Sequence, residues 1–497
     1  MPVFPTAVPS TLVQATTGAP TCPEAHAATI QESTDLSPRG RAIAPPLRDF
    51  NQYRIDLDLD PDHTTLTGTQ TLVFTNRTGT ALPDLVFHLY PNLGEAQPQA
   101  PSGAMFGGRI DVTCVSMNGL ARTPALEDGN WLLRVPFAAP LAPNQSANVT
   151  LRFVAVSPYN GTPNTWSAFN ATKSVWALAS AYPTLATRVG DGWDTKRPNG
   201  WGDFVNSDMA LYHVRVTMPA GRDLIATGKV APRCDARQCV NIVTAGPQRD
   251  FAMAAVQGWQ QVRRTVGDVI VVSSFPANSR ATGEGALALA ADAMVCYDKA
   301  FGVYPYTELD VLPIPATGFE GVEYPGLIMI NDRYYVDPAN ARTNLQGVVV
   351  HEVAHQWWYN VVGNDQLREP WLDEGLTSYT GEYLYTEWSG AGPKPVTERR
   401  RASLAQLHLD QTPIDGAVDS YSSDRAYVAV IYGRAPLFFD ALRHELGDAT
   451  FFKLLREYYK RYAFHEATTQ EFEQLVEEVA GRRLDAFFAG WIKRKPE

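Results

Sequence analysis

A chain of 497 residues is long enough for two or three domains, each with its own core. Its 45% apolar and 19% charged residues are ordinary for a globular protein. A net charge of -11 and the lack of any long Lys/Arg run argue against a general nucleic-acid binder, and no stretch approaches the ~20 apolar residues of a membrane span.

Residues 1–46 are rich in Pro, Thr and Ala and lack the charged start and apolar run of an intact signal peptide. They read as an extended arm left after processing. Cys234 and Cys239 are spaced for a small disulfide loop, Cys22 and Cys114 are a second candidate pair, and Cys296 sits in an apolar helical stretch as a buried thiol. Two bridges point toward an oxidising, extracytoplasmic compartment. Asn76, Asn144, Asn148 and Asn170 stand in N-x-S/T triplets.

Residues 47–258 read as an all-β saddle or sandwich domain. Tyr53–Asp60 alternates strictly between apolar and acidic residues. Further strands are predicted over Thr65–Asn76, Leu85–Tyr90, Trp131–Pro136, Ala147–Ala155, Leu211–Met218 and Asp223–Lys229. Asp56, Asp58 and Asp60 share one face and read as a solvated sheet edge rather than a metal cluster. Pro158–Gly200, rich in Trp, Asn and Gly, reads as a long loop region turned toward the second domain.

Residues 259–497 read as an α+β catalytic lobe. Strands are predicted at Asp268–Phe275, Leu309–Ile314 and Leu327–Ile330, and helices at Glu284–Phe301, Asn344–Val361, Pro370–Trp388, Arg400–His408, Asp424–Leu446, Ala449–Tyr462, Thr469–Ala480 and Leu484–Trp491. Arg399–Arg401 is too short for a binding patch and reads as a solvated face.

The chemistry concentrates in residues 346–375. His351 and His355 are four apart, so both imidazoles leave one helix face at a spacing that suits one Zn²⁺. Glu352 is turned about 100° from His351 and can reach the attacking water without ligating the metal. Apolar neighbours (Val348, Val349, Val350, Val353, Ala354, Trp357 and Trp358) make this a core helix, where polar groups need partners. Glu374, nineteen residues after His355, supplies a third ligand and leaves one position open, the catalytic pattern. A phenol at Tyr432 or Tyr427 is a candidate oxyanion donor, and spacing does not choose between them. In Gly318–Gly326, the glycines permit close backbone approach and Glu323 can pair with a substrate ammonium.

These motifs together resemble a zinc aminopeptidase of the aminopeptidase N family, a gluzincin group with a thermolysin-like catalytic domain. His351, Glu352, His355 and Glu374 match H-E-x-x-H-x18-E. Glu323, in Val322–Leu327, matches the amine-recognising glutamate of G-x-M-E-N, and Tyr432–Ala435 falls where the family has Y-x-K-G, which favours Tyr432 over Tyr427. The resemblance covers about residues 50–497. It implies a two-domain short form without the helical C-terminal domain of many relatives, hence a more open cleft.

Several residues depart from the family pattern. Val322 replaces Met, Tyr324 replaces Asn and Glu320 takes the first Gly position, so substrate contacts are expected from Phe319, Glu320, Gly321, Glu323, Tyr324 and Arg434. Arg434 in place of Lys keeps the charge but not its geometry. The second amine-holding residue, expected within Val175–Ala179, is missing there, which places amine binding mainly on Glu323.

The expected function is zinc-dependent release of N-terminal amino acids, with one Zn²⁺ per chain, Glu352 as general base and Tyr432 as oxyanion donor. The expected partners are peptides with a free N-terminus; the oligomeric state stays open and leans to a monomer. The alternatives are an endopeptidase or an epoxide hydrolase-like enzyme on the same site, or a non-catalytic zinc-stabilised scaffold.

Overall fold

The computed structural model describes residue 22 and residues 34–93, 108–159, 168–198, 201–203, 205–316, 318–336, 338–390 and 394–492. Most of the expected arm over 1–46 therefore lies outside the described residues. Where it is described, Asp35 and Leu36 are buried, and the short helix Pro38–Arg41 is capped by the Ser37 hydroxyl.

The N-terminal domain is β-rich. Its main sheet has eight strands in the order Lys229–Cys234, Gln238–Gln248, Ala210–Pro219, Asn51–Asp60, Thr65–Thr75, Ser146–Val156, Arg109–Met117 and Leu120–Ala121. Every pairing is antiparallel except that of Asn51–Asp60 with Ala210–Pro219. Alternation in the first strand puts Tyr53, Ile55, Leu57 and Leu59 in the core, each aliphatic side chain contributing roughly 1.5–3 kcal/mol of burial. Its acidic face is solvated, but the strand lies inside the sheet rather than at its edge. Asp60 pairs with His63 at 2.7 Å.

Two four-stranded sheets and a two-stranded ribbon, Arg188–Val189 with Gly192–Trp193, complete the described part of this domain. One contains Val175–Ala179, within the stretch expected to be a loop. All five of its residues are buried. A strand covered on both faces needs no alternation, so the periodicity signal is absent. Both expected disulfides are present, Cys22–Cys114 and Cys234–Cys239, and Cys296 is a buried free thiol. Asn76 and Asn170 are buried, which removes them as glycan acceptors.

The α+β lobe opens with a mixed sheet in the order Trp259–Val266, Val269–Pro276, Glu308–Ile314, Leu327–Asn331 and Gly321–Val322. Helix Arg280–Ala300 turns Ala286, Ala290, Ala293 and Tyr297 into the core, and the Tyr297 hydroxyl donates to the Val350 carbonyl at 2.9 Å, joining it to helix Pro338–Ala354. That second helix ends at Ala354 rather than Val361. Gln356 N and Trp357 N bond three residues back, and Tyr359 takes φ 130°, so the chain tightens and reverses. Among the described residues, no helix is long and apolar enough to cross a membrane.

The two domains are joined through residues 248–250. The Arg249 guanidinium is buried and donates to the Tyr359 carbonyl at 2.6 Å, the His465 carbonyl at 2.9 Å and Glu466 Oε1 at 3.1 Å. Gly363 makes room for it, since a Cβ there would lie 1.7 Å from Arg249 Nη2.

Candidate active site

His351 leaves the last full turn of helix Pro338–Ala354, and His355 follows where the helix tightens. Their Nε2 atoms are 3.1 Å apart, and Glu374 Oε2 lies 3.2 Å from one and 3.3 Å from the other. Three ligands about 2.0–2.1 Å from a tetrahedral Zn²⁺ stand about 3.3 Å apart. The donor set therefore fits a metal in both type and spacing. The Nδ1 of His355 faces the Trp358 carbonyl at 3.0 Å, which places a proton there and leaves Nε2 free to ligate.

Glu374 sits on a π-helical turn, Trp371–Gly375, and Tyr432 on another, Ala429–Arg434. The wide turns re-aim both side chains relative to an ordinary helix. Gly375 lets the turns pack, since a Cβ there would lie 2.6 Å from the Ala435 Cβ. The Tyr432 hydroxyl donates to Glu374 Oε1, and its ring stacks 6.0 Å from His351. Tyr427 lies behind it, edge-on at 5.9 Å and fully buried.

Glu352 is buried, and among the described residues its Oε2 has no hydrogen-bond partner. It shares one cluster with Glu323 and His355, their atoms within 4.8 Å. Burial pushes its pKa up to about 8, against the pull of His351. Glu323 is pushed up to about 7, first by burial and against the pull of His355. Burial acts the same way on Glu374, but the two histidines outweigh it and hold that carboxylate well below its usual range.

Glu323 is held from two sides. Gln366 Nε2 donates to its Oε1 at 3.2 Å and to Asp373 Oδ2 at 2.8 Å. From the other side Gln356 Nε2 reaches the carbonyls of Glu323 at 3.5 Å and Tyr324 at 3.3 Å, while its Oε1 accepts from Gly326 N at 2.8 Å. Gly321 backs directly onto Glu352, Phe319 packs on the apolar cluster around Val322 and Tyr324, and Tyr324 is itself buried.

Two residues expected among the substrate contacts are engaged elsewhere. Glu320 is exposed, ion-paired with Arg333 and accepting from the Tyr334 hydroxyl. Arg434 donates to the carbonyls of Thr412 and Gly490, each at 2.7 Å, and lies over the Trp491 ring at 4.5 Å. Its fork is taken up by these two carbonyls, so it acts as an anchor of the fold.

Sequence reading missed Asp203. Its carboxylate comes within 4.8 Å of Glu323 and Glu374, and burial with those two acids raises its pKa well above the usual range. Strand Val175–Ala179 instead turns Val175, Ala177 and Ala179 into the apolar cluster with Val322 and Tyr324. The segment carrying Asp203 is pinned to the α+β lobe: Trp201 Nε1 donates to the Val418 carbonyl at 3.1 Å, and Arg368 holds Asp194 at 2.8 Å. No spacing rule would have identified this acid. Gln356 carried a weak signal, as a polar residue beside Trp357 and Trp358, and Gln366 carried none.

Residues 286–491 match the Peptidase family M1 domain. Aminopeptidase M1-D of Oryza sativa subsp. japonica is 26% identical over 227 residues, 43% of this chain and 26% of that protein. Aminopeptidase M1 of Arabidopsis thaliana is 28% identical over 228 residues, 43% of this chain and 25% of its own length. The chain thus spans about a quarter of these relatives. The M1 zinc metallopeptidase of Deinococcus radiodurans superposes with a TM-score of 0.64 at 18% identity, covering 90% of this chain and 95% of that one. A variant of that protein bound to Tyr-Ser-Ala gives 0.65 at 20%, covering 92% and 98%. This second likeness is one of fold, a β-rich domain followed by an α+β domain. The matched segment, residues 286–491, holds all three metal-site donors.

Proposed function

We propose that this protein is a zinc-dependent aminopeptidase that removes single residues from the free N-termini of peptides. The observation that carries the reading is the joining of two clusters. His351, His355 and Glu374 are spaced for a tetrahedral metal, and Glu323 and Glu352 share a buried cluster with His355. These three donors would hold one zinc per chain. When bound, it supplies Lewis acidity to the attacking water and the scissile carbonyl.

The chain's own residues do the rest. Glu352 takes the water's proton and passes it to the leaving amine. Tyr432, whose hydroxyl already reaches Glu374, donates to the oxyanion that develops on the carbonyl. Glu323 and Asp203 hold the substrate ammonium between them, and Gln366 keeps Glu323 oriented. That fixes the cut one residue from the terminus. The neighbouring M1 zinc metallopeptidase has been seen with Tyr-Ser-Ala, a peptide of the kind expected here. The two disulfides support an extracytoplasmic location.

The test is a panel of aminoacyl 4-nitroanilides, free and N-acetylated, with and without chelator. Hydrolysis of the free amines that stops with chelator supports the reading. Equal hydrolysis of acetylated substrates overturns it in favour of an endopeptidase.

A further inference from the structure

The turn that follows helix Pro338–Ala354 contains a backbone conformation that stands apart. Tyr359 takes φ 130°. Among the described residues, the other non-glycine residues with positive φ lie between 48° and 66°, the ordinary left-handed region. A φ of 130° is glycine territory, and a bulky side chain persists there only where its surroundings over-determine it.

Tyr359 is held at every polar atom. Its N–H donates to the Val362 carbonyl at 2.8 Å, within the same turn. Its carbonyl accepts from Arg249 Nε at 2.6 Å, and its hydroxyl donates to Asp250 Oδ2. Arg249 and Asp250 belong to the β-rich domain and are 2% and 4% exposed. The strain is therefore sustained from across the joint between the domains.

The consequence falls one peptide back. A planar trans peptide carries its C=O and N–H on opposite edges, and the φ of Tyr359 sets how the plane between Trp358 and Tyr359 is turned. With its N–H on Val362, that plane presents the Trp358 carbonyl to His355 Nδ1 at 3.0 Å. The Thr377 hydroxyl stands 3.3 Å from the same nitrogen. With Arg249 and Asp250 fixing the rest of Tyr359, an ordinary negative φ would turn the Trp358 carbonyl away from the imidazole.

We propose that Tyr359 is a positioning residue for the metal centre: clamped by Arg249 and Asp250, it fixes the Trp358 carbonyl that orients His355. The assignment rests on the metalloaminopeptidase reading and adds to it a control of zinc retention by the β-rich domain. The outer partner of a ligating histidine sets its tautomer and ring orientation, and losing that partner weakens metal binding about 10- to 100-fold.

Zinc dissociation constants, measured on the full chain by competition with a chromogenic chelator, test this at one position. Tyr359→Ala keeps the unfavourable φ and loses the hydroxyl clamp, so zinc should bind about 10- to 100-fold more weakly. Tyr359→Gly removes still more of the side chain but adopts this φ freely, so its constant should stay within about threefold of the parent's. A packing role alone would make glycine at least as damaging as alanine. That result, or parental affinity in Tyr359→Ala, overturns the proposal. Where the small variants fail to fold, Tyr359→Phe keeps the ring and loses only the hydroxyl. Zinc should leave it several-fold faster than it leaves the parent, and release at the parent's rate overturns the proposal. The constants are read without substrate, so they stand apart from the test of aminopeptidase activity. An unmodified chain that binds no zinc overturns the metal reading as well.

Discussion

Gly321 and Glu352 lie against each other so closely that a Cβ on the glycine would fall 2.4 Å from Glu352 Oε1. The neighbour is the end of a flexible side chain, so the fold can absorb the extra atom, but only by displacing the carboxylate. Gly321→Ala should therefore keep its zinc and its melting temperature while kcat falls about 100-fold, the scale of losing one proton-transfer group. Metal analysis, thermal melts and steady-state rates on one preparation check this; an unchanged kcat would mean that Glu352 needs no fixed position.

Glu352→Gln preserves shape and removes the base. Zinc content should stay near one per chain, while turnover falls by about 10²–10⁴. Normal turnover in a zinc-replete variant would take the general-base role away from Glu352.

Glu323→Ala should raise KM for free-amine substrates and leave N-blocked ones, already poor, almost unaffected. The Gln366 amide would also lose one of its two carboxylate partners, keeping Asp373. The diagnostic quantity is the ratio of kcat/KM for free and acetylated substrates, which should drop about 100-fold, in line with losing a charged hydrogen-bond partner of about 3 kcal/mol. Equal losses on both would argue that Glu323 supports the fold alone.

Arg249→Met would leave the Tyr359 and His465 carbonyls and Glu466 without their buried donor. Breaking such a set costs about 3–5 kcal/mol. We expect a clear fall in melting temperature and easier proteolytic separation of the two domains; a variant as stable as the parent would show that the contact is replaceable.

His88 makes acid destabilising. Burial drives its pKa from 6.5 down to about 4, and the ring stays neutral, facing the Asp194 carbonyl at 2.8 Å and the Tyr90 hydroxyl at 3.1 Å. Between these two values the unfolded chain takes up a proton that the folded chain refuses. Stability is therefore full above 6.5 and falls as pH drops toward 4, by about 3 kcal/mol from this group. His88→Gln should flatten the pH dependence of urea midpoints across that window. An identical slope in both proteins would assign the acid sensitivity elsewhere.

The metal centre was legible from residue type and spacing alone, since a helix turns H-E-x-x-H into one bite and Glu374 opens the next helix. Tyr432 needed the family resemblance to prefer it over Tyr427, because both lie on the same helical run and the π-helical turn that separates their roles leaves no periodic trace. Alternation revealed the strand of Tyr53 but not Val175–Ala179, which is covered on both faces. Asp203 was illegible because a carboxylate in a Gly- and Trp-rich stretch looks like any surface acid. Only tertiary folding brings it 120 residues forward in the chain to meet Glu323. Arg434 misled for the opposite reason: its motif position was right, while its donors were already taken by two carbonyls.

The segment carrying Asp203 is pinned across the seam between the two domains, while all three metal donors come from one side of it. Of the two acids proposed to hold the substrate ammonium, Asp203 thus comes from one domain, and Glu323 comes from the other together with the metal donors. A small shift of one domain against the other, with residues 248–250 held, would alter which terminus is accepted without disturbing the zinc site. Variation along the rest of that seam can therefore retune diet while leaving the reaction itself untouched.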